Sequence, residues 1–245
     1  MQSLITISGS IVIYNEKKQI LQRVIENYLA IDLQKELIIV DNSPDNVLQN
    51  FCENYKEVHY IYNNKNIGFA KGHNKAFRYL KKKSDIHLVL NPDIDFNAFE
   101  MHRFLLWLCS AKDIALSIPA VYNFDGTIQK VVRKIPTPLH LIKRRIGCTQ
   151  DELSMPAKSV VEIPFAHGCF MAFKTNVFKK LNGFDEHFFM YMEDVDIWIR
   201  AKEYGKTVIN TNYRIYHEHR KGSSKKIKLL FWHLNSAIKY FWKYK

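Results

Sequence analysis

The alternation of apolar and polar positions predicts strands and helices in turn over the first half of the chain. Segments rich in β-branched and apolar residues read as buried strands at residues 4–14, 36–41, 58–62 and 86–90. Segments with apolar residues three and four positions apart predict helices between them, at 17–30, 47–55 and 70–83. This βαβαβαβ order predicts a mainly parallel sheet covered by helices.

The second half of the chain has a less regular pattern. Its predicted strands cover 114–122, 127–132 and 207–216, with further ordered structure at 160–173. Its predicted helices cover 97–111, 175–181, 193–204 and 225–244. Residues 134–160 contain three prolines and a basic run at 143–145, which predicts a mobile or substrate-facing loop.

Composition narrows the classes of protein that this chain can belong to. Its 245 residues fit one large domain better than two, and 47% are apolar, too many for a disordered chain. The net charge of +12 allows nucleic acid, an anionic membrane surface or phosphorylated small molecules as partners. The four cysteines are far apart, which argues against a zinc ribbon or a disulfide framework and suggests a reducing cytoplasm.

The first residues and the apolar runs bear on the membrane. Residues 1–15 lack a basic start and a small-residue cleavage site, so they read as a first strand rather than a signal peptide. No apolar run reaches the roughly 18 residues that span a bilayer. We therefore expect an enzyme that touches a membrane at most from one side.

Polar residues follow three of the predicted parallel strands, where open α/β sheets bind ligands. They are Tyr14 and Asn15, then Asp41, Asn42 and Ser43, then Asn91, Asp93 and Asp95. Asp41 suits the imide N–H of a uracil or thymine ring, or alternatively a helix cap. The segment from Asn66 to Asn74 contains Gly68 and Gly72 and opens a helix, so its backbone N–H groups suit a nucleotide. A plain loop-to-helix transition is the alternative.

Two acidic clusters carry the clearest chemistry. Asp93 and Asp95 stand at a strand end, where hard cations such as Mg²⁺ or Mn²⁺ bind carboxylates and a diphosphate; a solvated turn is the alternative. Glu193, Asp194 and Asp196 open a helix beside aromatic residues. There they either complement the helix dipole or become desolvated bases.

Two smaller features complete the set of candidates. Asp196 lies four residues before Arg200, which is the spacing of a helical ion pair. His217 and His219 end the last predicted strand, where a histidine can complete a metal site or simply be solvated.

Taken in order, these segments resemble the family 2 glycosyltransferases of GT-A fold, over nearly the whole chain. The matching motifs are IVIYN (11–15), ELIIVDNS (36–43), NIGF (66–69) with Gly72 and Asn74, LNPD (90–93), HGCFMAFK (167–174) and GFDE…YMEDVD (183–196). The Asn-Pro-Asp motif, the segment FFMYMEDVD, VRKIP (132–136) and WHLNS (232–236) look most like bacterial rhamnosyltransferases of O-antigen and related surface polysaccharides.

The resemblance implies a role for each matching position. Asp194 would be the general base with Glu193 as its neighbour, and Asp93, Asp95 and His219 would hold a divalent cation, Asp95 being no fixed feature of the subgroup. The nucleotide-sugar would be bound by Tyr14, Asn15, Asp41, Asn42, Asn66, Gly68, Gly72, Asn74, Asn91, Asp93, Arg133 and Gly168. The implied reaction is inverting transfer in a single displacement.

The resemblance also divides the chain and suggests its partners. Residues 1–220 would form one catalytic domain, with a nucleotide-binding half (1–95) and an acceptor-binding half (96–220). The leading donor is dTDP-rhamnose, and a UDP-hexose or galactofuranose donor is the alternative. The acceptor would be a saccharide on a polyprenyl diphosphate, which implies a peripheral enzyme on the inner face of the bacterial cytoplasmic membrane.

Residues 221–245 form a basic, aromatic helix whose surroundings the sequence leaves open. Residues 220–245 hold eight Lys or Arg and no acid, interleaved with aromatic residues. Such a helix suits an anionic membrane interface, or alternatively packs on the core with solvated lysines.

Two other functions fit parts of the sequence. A nucleic-acid-binding module would explain the charge but not the acidic clusters, and no helix-turn-helix or zinc-finger signature is present. A nucleotidyltransferase would also use a metal and a nucleotide on an α/β sheet, and it would release pyrophosphate.

Overall fold

A computed structural model describes residues 5–145, 152–154, 159–218 and 227–245. Its strands are β1 (Thr6–Ile13), β2 (Gln34–Asp41), β3 (Val58–Tyr62), β4 (Ile86–Leu90), β5 (Ile94–Asp95), β6 (Ile114–Tyr122), β7 (Val132–Arg133), β8 (Val160–Glu162), β9 (Phe165–Ala166), β10 (Phe170–Lys174) and β11 (Lys206–His217). Its helices are α1 (Lys18–Leu29), α2 (Gln49–Cys52), α3 (Phe69–Tyr79), α4 (Ala98–Ser110), α5 (Pro138–Arg145), α6 (Thr175–Lys180), α7 (Glu193–Ala201) and α8 (Ile227–Lys243), with a 3₁₀ turn at Lys202–Tyr204.

The molecule contains one large sheet with the strand order β3-β2-β1-β4-β10-β6-β11-β5. Strand β8 pairs with residues 208–210 of β11. The strands β3, β2, β1 and β4 are parallel, as are β6 and β11. Between these two groups, β10 runs antiparallel to both β4 and β6. The predicted α/β architecture, a mostly parallel central sheet with flanking helices, is confirmed, and the inserted antiparallel strand is its unpredicted feature.

The first half of the chain follows the order of the predicted elements, but two of its helices end early. The helix predicted at 47–55 is reduced to α2, Gln49–Cys52. The third helix was expected to run to Lys83 but ends at Tyr79, where Leu80 turns to an extended conformation (ψ 131°). The buried Glu36 carboxylate then accepts hydrogen bonds from the backbone N–H groups of Lys81 and Lys82, at 3.1–3.2 Å. These hydrogen bonds from Lys81 and Lys82 to Glu36 take the place of the backbone bonds that would continue the helix.

Two predictions in the middle of the chain are wrong. Residues 127–132 do not form a strand: they make one bridge, between Tyr122 and Ile128, and the short strand β7 begins only at Val132. Residues 124–128 are exposed to solvent, so their side chains gain little from packing on a neighbouring strand. The predicted loop at 134–160 contains the helix α5, whereas the predicted ordered stretch 160–173 is present as three short strands.

Two histidines lie in the centre of the core and are joined by serine hydroxyls. The Ser10 hydroxyl lies 2.8 Å from Nδ1 of His73 and 3.2 Å from Nε2 of His87. Nδ1 of His87 lies 2.9 Å from the Ser8 hydroxyl. Burial lowers the pKa of His87 from 6.5 to about 3 and holds the pKa of His73 well below its usual value.

This buried network predicts a loss of stability in mild acid. The unfolded chain takes up a proton at His87 as the pH falls through about 6.5, whereas the folded chain does so only near pH 3. The folded state should therefore lose about 2 kcal/mol from this residue between pH 6.5 and pH 5. Urea unfolding at several pH values would measure it. His87→Gln should flatten this dependence, and His187→Gln, at an exposed side chain, should not; equal slopes for both would contradict the prediction.

Candidate active site

The carboxyl ends of β1 and β2 bring the first two groups of polar residues together. The Asn42 backbone N–H donates to the Ile13 carbonyl (2.9 Å), and the Asn15 N–H donates to the Ser43 hydroxyl (2.8 Å). Asn15 adopts a left-handed conformation (φ 51°), which turns the chain away from the sheet. The Tyr14 side chain beside it is 53% exposed and free to meet a ligand.

Asp41 is buried and engaged within the protein. Its carboxylate accepts hydrogen bonds from the Ser43 N–H (2.7 Å) and from the Tyr60 hydroxyl. It closes a tight turn and does not cap α2, whose preceding residue is Leu48. The cap alternative is therefore not what the structure contains, and contact between Asp41 and a nucleotide stays a prediction.

The segment from Asn66 to Asn74 holds another part of the chain rather than exposing bare N–H groups. Gly68 (φ 88°) has no room for a side chain, because a Cβ would lie 2.3 Å from the Phe189 carbonyl oxygen. That carbonyl accepts from the Phe69 N–H at 3.0 Å. Asn74 exchanges two hydrogen bonds of 2.8 Å with the backbone of Phe184.

The other motif residues of this segment also contact the protein itself. The Asn66 side chain accepts from the Gly68 N–H (2.9 Å), and the Asn42 amide donates to the Gly68 carbonyl (3.2 Å). A Cβ on Gly72 would meet Val12 at 2.6 Å, so this glycine lets α3 pack tightly on β1. Phe69 and Asn74 hold Phe189 and Phe184 against α3, and direct contact with a ligand stays a prediction for every motif position of this segment.

Asp93 lies at the carboxyl end of β4 and faces the end of β11. Asn91 is held by its backbone N–H, which donates to the Cys169 carbonyl (2.9 Å). Oδ1 of Asp93 lies 3.4 Å from Nε2 of His217, and both side chains are 12% exposed. His219 lies outside the described residues, and among those described no group of three acidic, histidine or cysteine side chains surrounds a possible metal position.

Asp95 does not join Asp93 in this arrangement. It lies on the edge strand β5, where its carboxylate accepts from the Asn27 side chain (2.7 Å) and faces Arg23 at 3.8 Å. Both partners belong to α1. Asp95 thus braces the edge of the sheet against α1, and its predicted contact with a metal stays a prediction.

Asp194 is the accessible member of the second acidic cluster. One of its carboxylate oxygens accepts from the Val195 N–H (2.8 Å), and the other lies 3.3 Å from Nδ1 of His167. Its side chain is 15% exposed. His167 is part of a quoted motif but received no role from the sequence; its position directly before Gly168 was the available signal.

Glu193 and Asp196 are buried in different ways. Burial, reinforced by the charges of Asp194 and Asp196, raises the pKa of Glu193 well above its usual value, so it is held protonated. Asp196 is fully buried and paired with Arg200 at 2.8 Å, which confirms the predicted helical ion pair. It also accepts from Lys243 (2.6 Å) and from the Tyr244 hydroxyl (2.8 Å).

The C-terminal helix α8 packs on the segment that precedes these acids. Trp232 contacts Phe189 with ring centroids 4.7 Å apart, and the Ser236 hydroxyl donates to the Met190 carbonyl (2.8 Å). Tyr191 and Met192, directly before α7, both have positive φ angles, of 70° and 66°. The helix thus supports a strained turn that presents Asp194.

The two acidic clusters meet at Gly168 and Cys169. A Cβ on Gly168 would lie 3.6 Å from Cβ of Asp194. Burial raises the pKa of Cys169 to about 12, with added contributions from the charges of Asp93 and Asp194. Both carboxylates therefore lie close enough to the loop before β10 to act on its buried thiol.

Arg133 lies beside this loop but has its own partner. It is on β7, which pairs with β9, and its guanidinium donates to Glu152 at 3.2 Å. The His167 N–H donates to the Val131 carbonyl (3.1 Å), which ties the strand of Arg133 to the loop of His167. Its contact with a nucleotide-sugar stays a prediction.

Sequence comparison relates the chain to known glycosyltransferases. The sequence profile described as "Glycosyl transferase family 2" matches residues 10–182, and that described as "N-terminal domain of galactosyltransferase" matches residues 156–221. The low-salt glycan biosynthesis hexosyltransferase Agl10 of Haloferax volcanii is 30% identical over 79% of this chain and 61% of its own length. Rhamnosyltransferase WbbL of Escherichia coli K12 is 26% identical over 94% of this chain and 90% of its own.

Solved structures place the fold in the same group. GalNAc-T7, in a crystal structure with UDP, GalNAc and Mn²⁺, superposes with a TM-score of 0.69 at 16% identity, over 89% of this chain and 44% of that one. TarS of S. aureus superposes with a TM-score of 0.63 at 16% identity, over 87% of this chain and 60% of that one. These likenesses bear on the fold, which is that of the GT-A glycosyltransferases. With the profile covering more than half of its residues, the chain belongs to glycosyl transferase family 2.

Proposed function

We propose that this protein is an inverting, cation-dependent glycosyltransferase that moves a sugar from a nucleotide-sugar to a hydroxyl of a saccharide acceptor. The observation that carries the proposal is that Asp93 and Asp194 both lie near the loop of Gly168 and Cys169: both charges raise the pKa of Cys169, and a Cβ on Gly168 would lie 3.6 Å from Cβ of Asp194. Asp93 follows the carboxyl end of a parallel strand, where such sheets bind ligands, and Asp194 lies in the first turn of α7. One carboxylate can then serve the leaving diphosphate and the other the attacking hydroxyl.

Asp194 is the group best suited to be the general base. It is partly exposed and lies beside His167, whereas Glu193 is buried and protonated and Asp196 is neutralised by Arg200 and Lys243. The proposed step is one displacement: Asp194 takes the acceptor proton, and the hydroxyl oxygen bonds to the anomeric carbon. The bond to the diphosphate oxygen breaks on the opposite face, and the nucleoside diphosphate leaves with the electron pair.

Asp93 and His217 fit a divalent cation such as Mg²⁺ or Mn²⁺. The two side chains offer one carboxylate oxygen and one ring nitrogen 3.4 Å apart at the edge of the site. Mg²⁺ bound with substrate phosphates commonly uses only one or two protein ligands. When bound there, the cation would supply positive charge to the leaving diphosphate.

The donor proposed first is dTDP-rhamnose. WbbL and an N-acetylglucosaminyl-diphospho-decaprenol L-rhamnosyltransferase of Mycobacterium tuberculosis, 22% identical over 72% of this chain, support rhamnose. A UDP-hexose is the second candidate, supported by the hexosyltransferase Agl10 and by structures of GalNAc-T7 and TarS with UDP. Family membership favours glycosyl transfer over the nucleotidyltransferase and nucleic-acid alternatives.

A saccharide carried on a polyprenyl diphosphate is the proposed acceptor, in the biosynthesis of O-antigen or another bacterial surface polysaccharide. This would place the enzyme at the inner face of the cytoplasmic membrane. Among the described residues, no helix is long and apolar enough to span a bilayer.

The outer face of α8 supports a peripheral contact with that membrane. Its exposed apolar side chains follow helical spacing and form one stripe: Phe231 (66% exposed), Leu234 (50%), Ile238 (60%) and Trp242 (74%). The exposed side chains of Lys239 and Lys245 add positive charge to this end of the chain. An apolar stripe with neighbouring lysines suits an anionic lipid surface, while the inner face of α8 remains packed on Phe189 and Met190.

Replacing the proposed base should abolish most turnover. We expect Asp194→Asn to lower kcat by about 10²–10⁴-fold because the amide cannot accept the acceptor proton. Release of nucleoside diphosphate from dTDP-rhamnose and from UDP-hexoses, with Mn²⁺ and saccharide acceptors, would measure it. Asp113→Asn, at an exposed aspartate, is the matched control and should behave as wild type. Near-normal turnover by Asp194→Asn, or pyrophosphate as the product, would contradict the proposal.

Glu193→Gln should stabilise the protein in alkaline buffer. In the unfolded chain Glu193 ionises as the pH rises through about 4.5, whereas burial keeps it protonated in the folded chain. The wild type therefore loses this contribution as the pH rises, and a neutral amide does not. We expect the variant to be more stable than wild type at pH 8 and to gain much less at pH 4, by urea unfolding. Glu53→Gln, at an exposed acid, is the control; equal effects at both pH values would show that Glu193 is not held neutral.

Removing the apolar stripe should weaken membrane binding without unfolding the protein. The double variant Ile238→Asn/Trp242→Ser should bind vesicles containing anionic phospholipid at least about tenfold more weakly, since two buried apolar side chains are lost. Co-sedimentation would measure the binding, and neutral vesicles would report the contribution of charge. Phe99→Ser removes an aromatic residue of similar exposure (70%) from α4 and should bind as wild type. Unchanged binding by the double variant would rule out the stripe.

A further inference from the structure

The turn after β6 reaches across to the end of β11 through one side chain, that of Gln129. Its amide Nε2 donates to the His217 carbonyl (2.6 Å) and to Oδ1 of Asn123 (2.6 Å). Its Oε1 lies 3.0 Å from Nδ1 of His217. Gln129 therefore contacts both the backbone and the ring of the histidine that faces Asp93.

The orientation of this amide follows from the hydrogen bonds themselves. A backbone carbonyl can only accept, so the atom 2.6 Å from the His217 carbonyl oxygen must be the NH₂ group. The amide oxygen is then the atom that faces Nδ1 of His217. Because that oxygen also only accepts, Nδ1 must carry a hydrogen.

A hydrogen on Nδ1 decides what the other ring nitrogen offers. In neutral His217 the Nε2 atom is left with a lone pair, and it is this atom that lies 3.4 Å from Oδ1 of Asp93. The lone pair of Nε2 and the carboxylate oxygen of Asp93 then form a nitrogen and oxygen pair that can bind a cation, on side chains that are only 12% exposed. Metal-binding histidines show this same arrangement, with the far ring N–H donated to a fixed oxygen.

We propose that Gln129 is a positioning residue that holds His217 with Nε2 toward Asp93 and so completes a cation-binding pair at the diphosphate end of the site. The proposal rests on the cation dependence proposed above and adds the residue that prepares the protein for it. It assigns a role to a residue that lies on an exposed turn and outside every motif that resembles the family.

The turn itself does not depend on the Gln129 side chain. Backbone hydrogen bonds close it, from the Asn123 N–H to the Thr127 carbonyl (2.8 Å) and from the Gln129 N–H to the Val121 carbonyl (2.8 Å). Gln129→Met keeps the length of the side chain and removes its donor and acceptor. This variant should therefore fold, and thermal unfolding would verify that.

The test measures Mn²⁺ binding and the protonation of His217 in the full chain. Electron paramagnetic resonance titration with Mn²⁺, alone and with saturating dTDP or UDP, should give a dissociation constant about 10–100-fold higher for Gln129→Met than for wild type. Gln49→Met, on a different surface, is the matched control and should bind as wild type. Long-range ¹H–¹⁵N spectra at pH 8, assigned with His217→Asn, should place the wild-type proton on Nδ1 and show its redistribution in Gln129→Met.

Three results would overturn the proposal. The first is that Gln129→Met binds Mn²⁺ within twofold of the wild-type affinity. The second is that His217 of the wild type carries its proton on Nε2 alone. The third is that the wild type binds no Mn²⁺ under any of these conditions. The proposed function is judged separately, by release of nucleoside diphosphate from wild type. If the wild type turns over and Gln129→Met binds Mn²⁺ equally well, only the role of Gln129 is refuted. If Gln129→Met binds Mn²⁺ more weakly but the wild type shows no turnover, only the transferase reaction is refuted.

Discussion

The antiparallel strand β10, inserted between β4 and β6, is the constraint on which the candidate site depends. Its register sets Phe170 opposite Leu90, so Cys169 lies beside Asn91 at the point where β4 ends. The hydrogen bond between these two residues carries the loop of His167 and Gly168 to the edge where Asp93 emerges. The strand pairing therefore holds this loop, whose Gly168 lies near Asp194, beside the end of β4 that Asp93 follows.

A second requirement is support for the turn that begins α7. Two consecutive non-glycine residues in the left-handed region, Tyr191 and Met192, each cost on the order of 1–3 kcal/mol. The segment before them is held on one side by α3, through Phe69 and Asn74, and on the other by α8. The last helix is in this way part of the active-site scaffold, and only its outer stripe of apolar residues is left for a membrane.

Three neighbouring acids reach three different states because their surroundings differ. Burial holds the pKa of Glu193 well above its usual value, Asp196 is paired with Arg200 and Lys243, and Asp194 is partly exposed beside His167. Sequence spacing foresaw the contact with Arg200, since residues four apart share a helix face. It could not foresee Lys243, which lies 47 residues from Asp196.

Local pattern by itself determined the order of most strands and helices, the polar residues at three strand ends and the likeness to a glycosyltransferase family. These features depend on periodicity and short motifs, which act over a few residues. The tertiary structure decided the rest: the antiparallel entry of β10, the turning of Asp95 toward α1, the pairing of His217 with Gln129 and the packing of α8 on the segment before α7. Each of these joins segments far apart in the chain, and it is the order of strands in the sheet, which no local pattern encodes, that brings such segments together.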